Sequence, residues 1–251
     1  MTYTLPYHRK NTMKFPRRSR FEDQYEKLAV WEFFGFATDG FFVEVGANEP
    51  KAISQTWMLE RFGWRGILVE PLPDNCDLLR KERPSSSIWQ TAVSSPDKVG
   101  EADFYVCDKL SGLTPNLRRD GVGIKAIIRV PVTTLDCILE KEKPEKIDFI
   151  SIDTEGTELD VLKGFDIRRH NPALVLIEDS VYTLDVHRQF ISSGYRLIRR
   201  TGINNWYIPA ECNYSTPFPE RARLFRKMFL GTPLRALRNR MKNKKGTGDP
   251  S

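Results

Sequence analysis

Residues 41–73, FFVEVGANEPKAISQTWMLERFGWRGILVEPLP, decide the fold of this chain. The segment begins with an apolar run, residues 41–45, which predicts a buried parallel strand. Small residues at 46–48 follow, so the backbone of this turn can approach a ligand closely. After a predicted helix, a second strand at 66–69 ends on Glu70. The pattern therefore predicts a β-α-β unit with an acidic residue at the end of its second strand.

The turn and the acid are placed as in a nucleoside-binding site. In doubly wound sheets ligands bind at the carboxyl ends of strands, and an acid about twenty residues past the turn can bind both ribose hydroxyls. A dinucleotide needs a Gly-x-Gly-x-x-Gly turn, because its pyrophosphate rests on backbone amides. Here the turn has one glycine, Pro50 without an amide hydrogen, and the flanking carboxylates Glu44 and Glu49. Because these carboxylates repel a pyrophosphate and attract a sulfonium, the turn favours S-adenosylmethionine over NAD or FAD; a structural turn without a ligand is the alternative.

Length and composition are those of one α/β domain, with 251 residues of which 40% are hydrophobic. No apolar run reaches the ~20 residues of a membrane-spanning helix, and the N-terminus lacks the apolar core of a secretory signal. The four cysteines are scattered without C-x-x-C spacing, which argues against a zinc or redox site. We therefore expect reduced cysteines in a cytoplasmic protein, or in one that is peripheral at the inner face of the membrane.

Charge is distributed unevenly along the chain. Residues 1–20 contain six basic and no acidic residues, and residues 220–251 contain ten basic and two acidic ones. The two ends therefore carry +6 and +8, and because the whole chain has a net charge of +6, residues 21–219 carry −8. An acidic folded region argues against nucleic acid as a partner. We expect a basic arm over 1–20, the catalytic domain over 21–212, and a basic amphipathic tail over 213–251.

The remaining elements alternate between helices and strands. Further strands are predicted at 87–92, 101–106, 127–132, 148–152, 173–177, 195–199 and 205–209, and helices at 21–34, 54–62, 74–83, 134–140, 157–164 and 185–193, with Asp74, Thr134 and Thr157 as N-caps. The last two strands form a predicted antiparallel hairpin, whereas dinucleotide-binding folds usually continue with parallel strands. We therefore predict an α/β, Rossmann-like class I methyltransferase fold, a mostly parallel doubly wound sheet that ends in an antiparallel hairpin.

Acidic residues end three of the predicted strands, at Glu70, at Asp153 and at the pair Glu178 and Asp179. The carboxyl ends of parallel strands lie at one edge of a sheet, so we expect these carboxylates to converge. Methyl transfer to a hydroxyl requires alignment of the reacting atoms and loss of the hydroxyl proton. Asp153 or Glu155 is the expected base, with Glu178 as a helper. The alternative is that Asp153 binds the methionine amino group or orients a helix N-terminus.

Three further assignments stay open at this stage. Asp153 with Glu178 or Asp179 can supply oxygen ligands to Mg²⁺, which would lower the pKa of a hydroxyl. His187 follows the same strand end and is a candidate base, although a partly exposed helix histidine is the simpler interpretation. The loop 111–114 can close over the cofactor or be an ordinary surface loop.

The C-terminal segment has an apolar stripe among basic residues, and the stripe contains Leu224, Phe225, Met228 and Phe229. Residues 231–233, Gly-Thr-Pro, predict a break before a second amphipathic helix. Basic amphipathic helices lie in anionic membrane interfaces, or they dock on their own domain with a solvated charged face. The first alternative predicts a peripheral membrane contact through residues 220–245, and it favours acceptors that are carried on membrane lipids.

Several motifs, taken in order, resemble those of the FkbM family of S-adenosylmethionine-dependent methyltransferases over about residues 21–210. They lie at 44–48, 54, 56, 63–66, 70–71, 73, 91–93, 111–113, 132–136, 152–156, 158, 161–162 and 164. The resemblance implies a Rossmann-like methyltransferase fold and O-methylation, often of sugar hydroxyls in glycans, glycolipids or natural products. The chain departs from the pattern at Ser151 and Thr154, where many members have Lys and Val, and at Pro50, where many have Gly.

Residues and resemblance together predict an S-adenosylmethionine-dependent O-methyltransferase that acts on a hydroxyl of a saccharide, a glycolipid or a related acceptor. The expected cofactor-binding residues are Glu44, Gly46, Ala47, Asn48, Ser54, Glu70, Thr91, Ala92, Ser111 and Asp153, and the expected catalytic residues are Asp153, Glu155 and Glu178. The alternative is a non-catalytic scaffold with a methyltransferase fold, recruited to a membrane or to nucleic acid through its basic tails.

Overall fold

The computed structural model describes residues 22–107, 110–115, 123–179, 182–233 and 235–236. The predicted basic arm at 1–20 and the end of the basic tail from 237 lie outside the described residues. The helices are α1 Glu22–Phe33, α2 Trp57–Arg61, α3 Pro73–Glu82, α4 Leu135–Glu142, α5 Glu158–Lys163, α6 Ile167–His170, α7 Asp185–Ser192 and α8 Phe218–Phe225. The strands are β1 Phe41–Val45, β2 Arg65–Val69, β3 Ser86–Trp89, β4 Ala92–Val93, β5 Gly100–Val106, β6 Ala126–Thr133, β7 Phe149–Ile152, β8 Leu174–Glu178, β9 Tyr195–Thr201 and β10 Asn204–Pro209.

The main sheet has seven strands in the order β3-β2-β1-β7-β8-β10-β9. Its first five strands are parallel, and β10 runs antiparallel to both β8 and β9. This arrangement confirms the predicted fold, a doubly wound parallel sheet that ends in an antiparallel hairpin. The strand order reverses between β1 and β7, and the crevice at such a switch point is where ligands bind in open α/β sheets.

The parallel strands are buried on both faces. In β1 the side chains of Val43 and Val45 face one hydrophobic cluster, and the side chain of Phe42 faces the other. The period of two along a strand produces this alternation. Helix α1 packs on the Phe42 side through Ala29, and helix α4 packs on the opposite side through Leu135. Burial on both faces explains why these strands are continuous apolar runs in the sequence.

A second, three-stranded sheet with the order β4-β6-β5 accompanies the main sheet. The predicted strand at 87–92 is therefore wrong at its end: β3 stops at Trp89, and Ala92 belongs to β4, which pairs with β6. The cause is a partner distant in sequence, because Ala92 aligns with Val132 and the Thr91 hydroxyl donates to the Pro131 carbonyl at 2.9 Å.

Local hydrogen bonds decide the helix ends. Thr134 caps α4 as predicted and accepts from the Cys137 amide at 3.1 Å. Asp74 is not an N-cap, because α3 begins at Pro73 and places Asp74 in its first turn. At α5 the Thr157 side chain makes no capping bond; Glu158 accepts instead from the preceding amides.

The helix after β10 continues farther than the sequence predicts. A π-helical segment, Arg226–Leu230, follows α8, and residues 231–233 remain helical, so the predicted break at Gly231 is wrong. Gly231 has helical dihedrals (φ −79°, ψ −26°), and the Thr232 hydroxyl donates to the Met228 carbonyl. Among the described helices, none combines the length and the apolar character needed to cross a membrane.

Candidate active site

An open cavity lies at the carboxyl edge of the main sheet, over the switch point between β1 and β7. The turn after β1 and the ends of β2 and β7 form its floor, and the small sheet forms one wall. Nine predicted cofactor residues line this cavity: Glu44, Gly46, Ala47, Asn48, Glu70, Thr91, Ala92, Ser111 and Asp153. Ser54 is fully buried beneath the lining, Glu155 belongs to the lining, and Glu178 lies just behind it.

The turn after β1 is fixed by its own backbone. The amides of Gly46 and Ala47 both donate to the Val69 carbonyl at 3.0 Å. Gly46 has φ +84°, and a Cβ there would lie 1.8 Å from the Asp153 carbonyl oxygen, so the position requires glycine. Because the amides of this turn are used internally, they do not form the anion-binding cradle that a pyrophosphate needs.

Glu70 is buried at the end of β2 and faces the same turn. One carboxylate oxygen accepts from the Asn48 amide at 2.8 Å, and the other accepts from the Leu72 amide at 2.9 Å. Burial raises the pKa of this carboxyl, and these hydrogen bonds partly offset the rise. Each carboxylate oxygen has a further lone pair, so Glu70 can also accept from a hydroxyl in the cavity.

Glu44 has a different environment from the one expected from the sequence. Its carboxylate accepts from the hydroxyls of Ser54 at 2.8 Å and Thr56 at 2.6 Å, and from the Gln55 amide at 2.6 Å. The side chain therefore fastens the segment 54–56 beside the cavity. Ser54 also accepts from the Trp57 amide at 3.1 Å and so supports the start of α2. The geometry gives Glu44, at the lining, and Ser54, behind it, contacts that support this segment.

Arg83 completes this network, and the sequence analysis missed it. Its guanidinium is 1% exposed and pairs with the buried Glu60. It also donates to the Ser54 hydroxyl at 3.0 Å, to the Thr56 hydroxyl at 2.8 Å and to the Pro50 carbonyl at 3.2 Å. An arginine at a helix end before a proline looks like a surface residue. The signal that could have found it is Glu44 within the apolar run of β1, since a buried charge needs compensating partners.

The wall opposite Glu70 is apolar. Ala92, Phe104 and Leu113 line it, and the first two are buried. Ser111 has its hydroxyl in bonds with Cys107, donating to the carbonyl at 2.7 Å and accepting from the amide at 2.9 Å. The serine therefore holds its loop against the small sheet and leaves the apolar surface of the wall for a ligand.

Three acidic side chains converge on the other side of the cavity. Carboxylate oxygens of Asp153, Glu155 and Glu178 lie within 4.8 Å of one another. Burial, a hydrogen bond with Asp153 and the charges of Asp153 and Glu155 together raise the pKa of Glu178 to about 10. Glu178 therefore keeps its proton at neutral pH, and Asp153 is the exposed member of the trio. Asp179 points elsewhere and accepts from Asn205 at 3.0 Å.

His187 does not line the cavity. Its Nδ1 lies 3.1 Å from the Tyr207 hydroxyl, and burial lowers the pKa of the imidazole. The structure therefore places this residue beside the core of the antiparallel hairpin.

A family model for the methyltransferase FkbM domain matches residues 44–197, more than half of the chain. The chain belongs to the FkbM methyltransferase family. It is therefore a methyltransferase, and its cofactor is S-adenosylmethionine. A search of curated protein sequences gives no significant match.

Solved structures that resemble this FkbM methyltransferase are distant. The METTL16 MTase domain is 10% identical, with a TM-score of 0.45, and the match covers 75% of this chain and 66% of that domain. The N-terminal domain of human METTL16 in complex with SAH is 10% identical, with a TM-score of 0.43 and coverage of 80% and 73%. The putative methyltransferase yhhF from Escherichia coli is 9% identical, with a TM-score of 0.39 and coverage of 78% and 89%.

The cavity fits the cofactor of FkbM methyltransferases. Glu70 offers carboxylate oxygens to ribose hydroxyls, and the wall around Ala92 offers an apolar surface to an adenine ring. Asp153 and Glu155 also line the cavity, and carboxylates there would favour the cationic sulfonium and the amino group of this cofactor. The internally bonded amides at Gly46 and Ala47 agree with a cofactor that lacks a pyrophosphate.

Proposed function

We propose that the protein is an O-methyltransferase that acts on a hydroxyl of a saccharide or of a saccharide-bearing lipid. The observation that carries the proposal is the pair of Asp153 and Glu178 at the cavity, whose carboxylate oxygens lie within 4.8 Å of each other. One member of the pair holds a proton at neutral pH and the other faces the cavity. Such a pair supplies the proton acceptor that a sugar hydroxyl needs, because the hydroxyl must lose its proton as its oxygen is methylated.

When bound, S-adenosylmethionine supplies a methyl group that is activated by a positively charged sulfur. The residues of this chain do the remaining work. Glu70 would hold the ribose hydroxyls, and the apolar wall at Ala92 and Leu113 would exclude water from the adenine side. The fixed turn at Gly46 keeps these groups in register with Asp153, whose carbonyl oxygen it contacts.

Proton transfer uses the acidic trio. The acceptor hydroxyl gives its proton to the Asp153 carboxylate as its oxygen becomes the nucleophile. Glu178, protonated, bonds to Asp153 and keeps that carboxylate aimed at the cavity. Glu155 has a left-handed backbone (φ +56°), which turns the chain two residues after Asp153. Carboxylate oxygens also accept hydrogen bonds from neighbouring sugar hydroxyls, which supports a saccharide as the acceptor class.

Calorimetric titration with S-adenosylmethionine and S-adenosylhomocysteine tests cofactor binding first. Titrations with Mg²⁺ and with a chelator belong to the same experiment, because the trio offers the oxygen ligands that Mg²⁺ prefers. Methyl transfer to glycan and glycolipid acceptors is then followed by mass spectrometry. We expect micromolar cofactor binding and a product with one added methyl group on oxygen. The absence of binding to either ligand would favour the non-catalytic scaffold, and methylation on nitrogen or carbon would refute O-methylation.

A further inference from the structure

The helix that follows β10 docks with one face and exposes the other. Leu224 and Met228 are buried against the domain. Four large apolar side chains on the same helix are exposed: Phe218 by 78%, Phe225 by 58%, Phe229 by 42% and Leu230 by 59%. We call these four side chains the C-terminal patch. Single exposed apolar residues are normal on proteins, whereas a contiguous group on one element marks a surface that binds a partner.

Basic residues outnumber acidic ones on the helix that carries the patch, where Glu220 is paired with Arg223. Arg221 and Arg226 are exposed on the same helix. Residues 220–251 contain ten basic and two acidic residues, although the rest of the chain beyond the first 20 residues is acidic. Aromatic side chains bordered by arginine and lysine form the pattern of helices that lie in the interface of an anionic bilayer, each basic residue contributing about 1 kcal/mol.

The patch lies at the same edge of the main sheet as the cavity. Arg223 in α8 donates to the Arg200 carbonyl at 2.8 Å, one residue before the end of β9. That end of β9 leads into β10, whose first residue, Asn204, aligns with Glu178. The ring of Phe229 also contacts His187, with centroids 5.7 Å apart, on the helix that follows β8. A partner that binds the C-terminal patch would therefore lie beside the acidic trio.

We propose that the C-terminal patch docks the protein on an anionic lipid membrane, with the carboxyl edge of the sheet turned toward the bilayer. A second copy of the chain is a poorer occupant, because a two-fold contact would bring Arg221 and Arg226 of both copies together. An anionic membrane, in contrast, offers negative charge to both arginines and an apolar interior to the patch. One consequence rests on the proposed function: if that function also holds, the acceptor is a saccharide carried by a membrane lipid.

Vesicle co-sedimentation of the full chain tests the docking surface. The probes are vesicles of phosphatidylcholine alone and vesicles with about one third phosphatidylglycerol. We expect binding to the anionic vesicles, weakened by salt, and little binding to the neutral ones. Phe225→Glu and Leu230→Glu should each lower the partition coefficient about tenfold or more, because each replaces an inserted apolar group by a charge. Arg226→Gln should lower it about fivefold.

Leu78→Glu is the matched control, because Leu78 is 49% exposed on α3, which flanks the opposite end of the sheet. This variant should bind vesicles like the native chain. Equal losses in Leu78→Glu and Phe225→Glu would overturn the proposal, and so would equal binding to neutral and anionic vesicles. A dimer that Phe225→Glu dissociates, without vesicle binding by the native chain, would assign the patch to a second copy instead. Titration of every variant with S-adenosylhomocysteine tests the docking surface and the proposed function separately. Vesicle binding without cofactor binding would support the docking surface and contradict the proposed function.

Discussion

The two sides of the cavity treat their carboxyl groups in opposite ways. On the side of β1 and β2, Glu44 and Glu70 each accept hydrogen bonds from backbone amides or hydroxyls. On the side of β7 and β8, Glu178 meets Asp153 and Glu155, so its carboxyl retains its proton. Hydrogen-bond donors orient the carboxyl groups on the first side, whereas on the second side neighbouring carboxylates add to burial in raising the pKa of Glu178. In the proposed function, the first side would hold the cofactor and the second would activate the acceptor.

The strongest test of this division is Asp153→Asn, which removes the proton acceptor and keeps the shape of the side chain. We expect kcat to fall about 10²–10⁴-fold, with a much smaller change in the Kd for S-adenosylhomocysteine. Asp103→Asn, at an exposed position on β5, is the control. If the Kd rises and kcat is retained, Asp153 binds the methionine amino group, and its assignment as the proton acceptor is wrong.

Arg83→Met tests whether the cofactor side depends on its buried network. The variant leaves Glu60 buried without its ion-pair partner, and we expect a loss of about 3 kcal/mol in the free energy of unfolding, or ~10 °C in Tm. Arg80→Met, which breaks an exposed ion pair on the same helix, should cost less than about 0.5 kcal/mol. The double variant Arg83→Met/Glu60→Gln should recover part of the loss. Equal melting temperatures for Arg83→Met and Arg80→Met would contradict the assignment.

Glu70→Ala removes the carboxylate placed for ribose. We expect the Kd for S-adenosylmethionine to rise about tenfold or more, a loss of ~1.4 kcal/mol or above in binding, measured by calorimetry. Asp77→Ala, on an exposed face of α3, should leave the Kd unchanged. A folded Glu70→Ala protein with native affinity would show that the ribose is held elsewhere.

Glu178→Gln tests the acidic side through stability. Because the pKa of Glu178 is raised from 4.5 to about 10 in the folded protein, the native chain loses stability as the pH rises between these values. Glutamine has no proton to lose, so the variant should match the native free energy of unfolding near pH 4 and exceed it increasingly as the pH rises, by about 3 kcal/mol at neutral pH. Glu101→Gln, at an exposed position, should show no such trend. A variant that is less stable than the native chain at pH 8 would contradict the shared proton.

The sequence predicted the fold because the information was local. The buried parallel strands β1, β2, β7 and β8 are largely apolar runs of four or five residues, and their predicted boundaries differ from the observed ones by at most one residue. The convergence of the acidic residues followed from topology alone, since the carboxyl ends of parallel strands meet at one edge. Asp179 leaves the cluster because neighbouring residues at a strand end point to opposite sides.

Features that depend on distant partners escaped prediction. Ala92 joins a second sheet through a strand forty positions later in the sequence. Arg83 is buried only because Ser54, Thr56 and Glu60 surround it in the fold. The local pattern around Gly231 predicted a helix break, but the segment docks on the domain and stays helical. In each case tertiary contacts outweighed the local preference.

The contact between Gly46 and the Asp153 carbonyl has a consequence for engineering acceptor preference. The backbones of the two loops touch with no side chain between them, so neither loop can be exchanged alone without disturbing the other. A chimera that imports a new loop at residues 153–157, which lie beside the acceptor in the proposed function, should therefore import the matching turn at 46–48. Loop libraries built on this scaffold will be most productive when the two segments vary as one cassette.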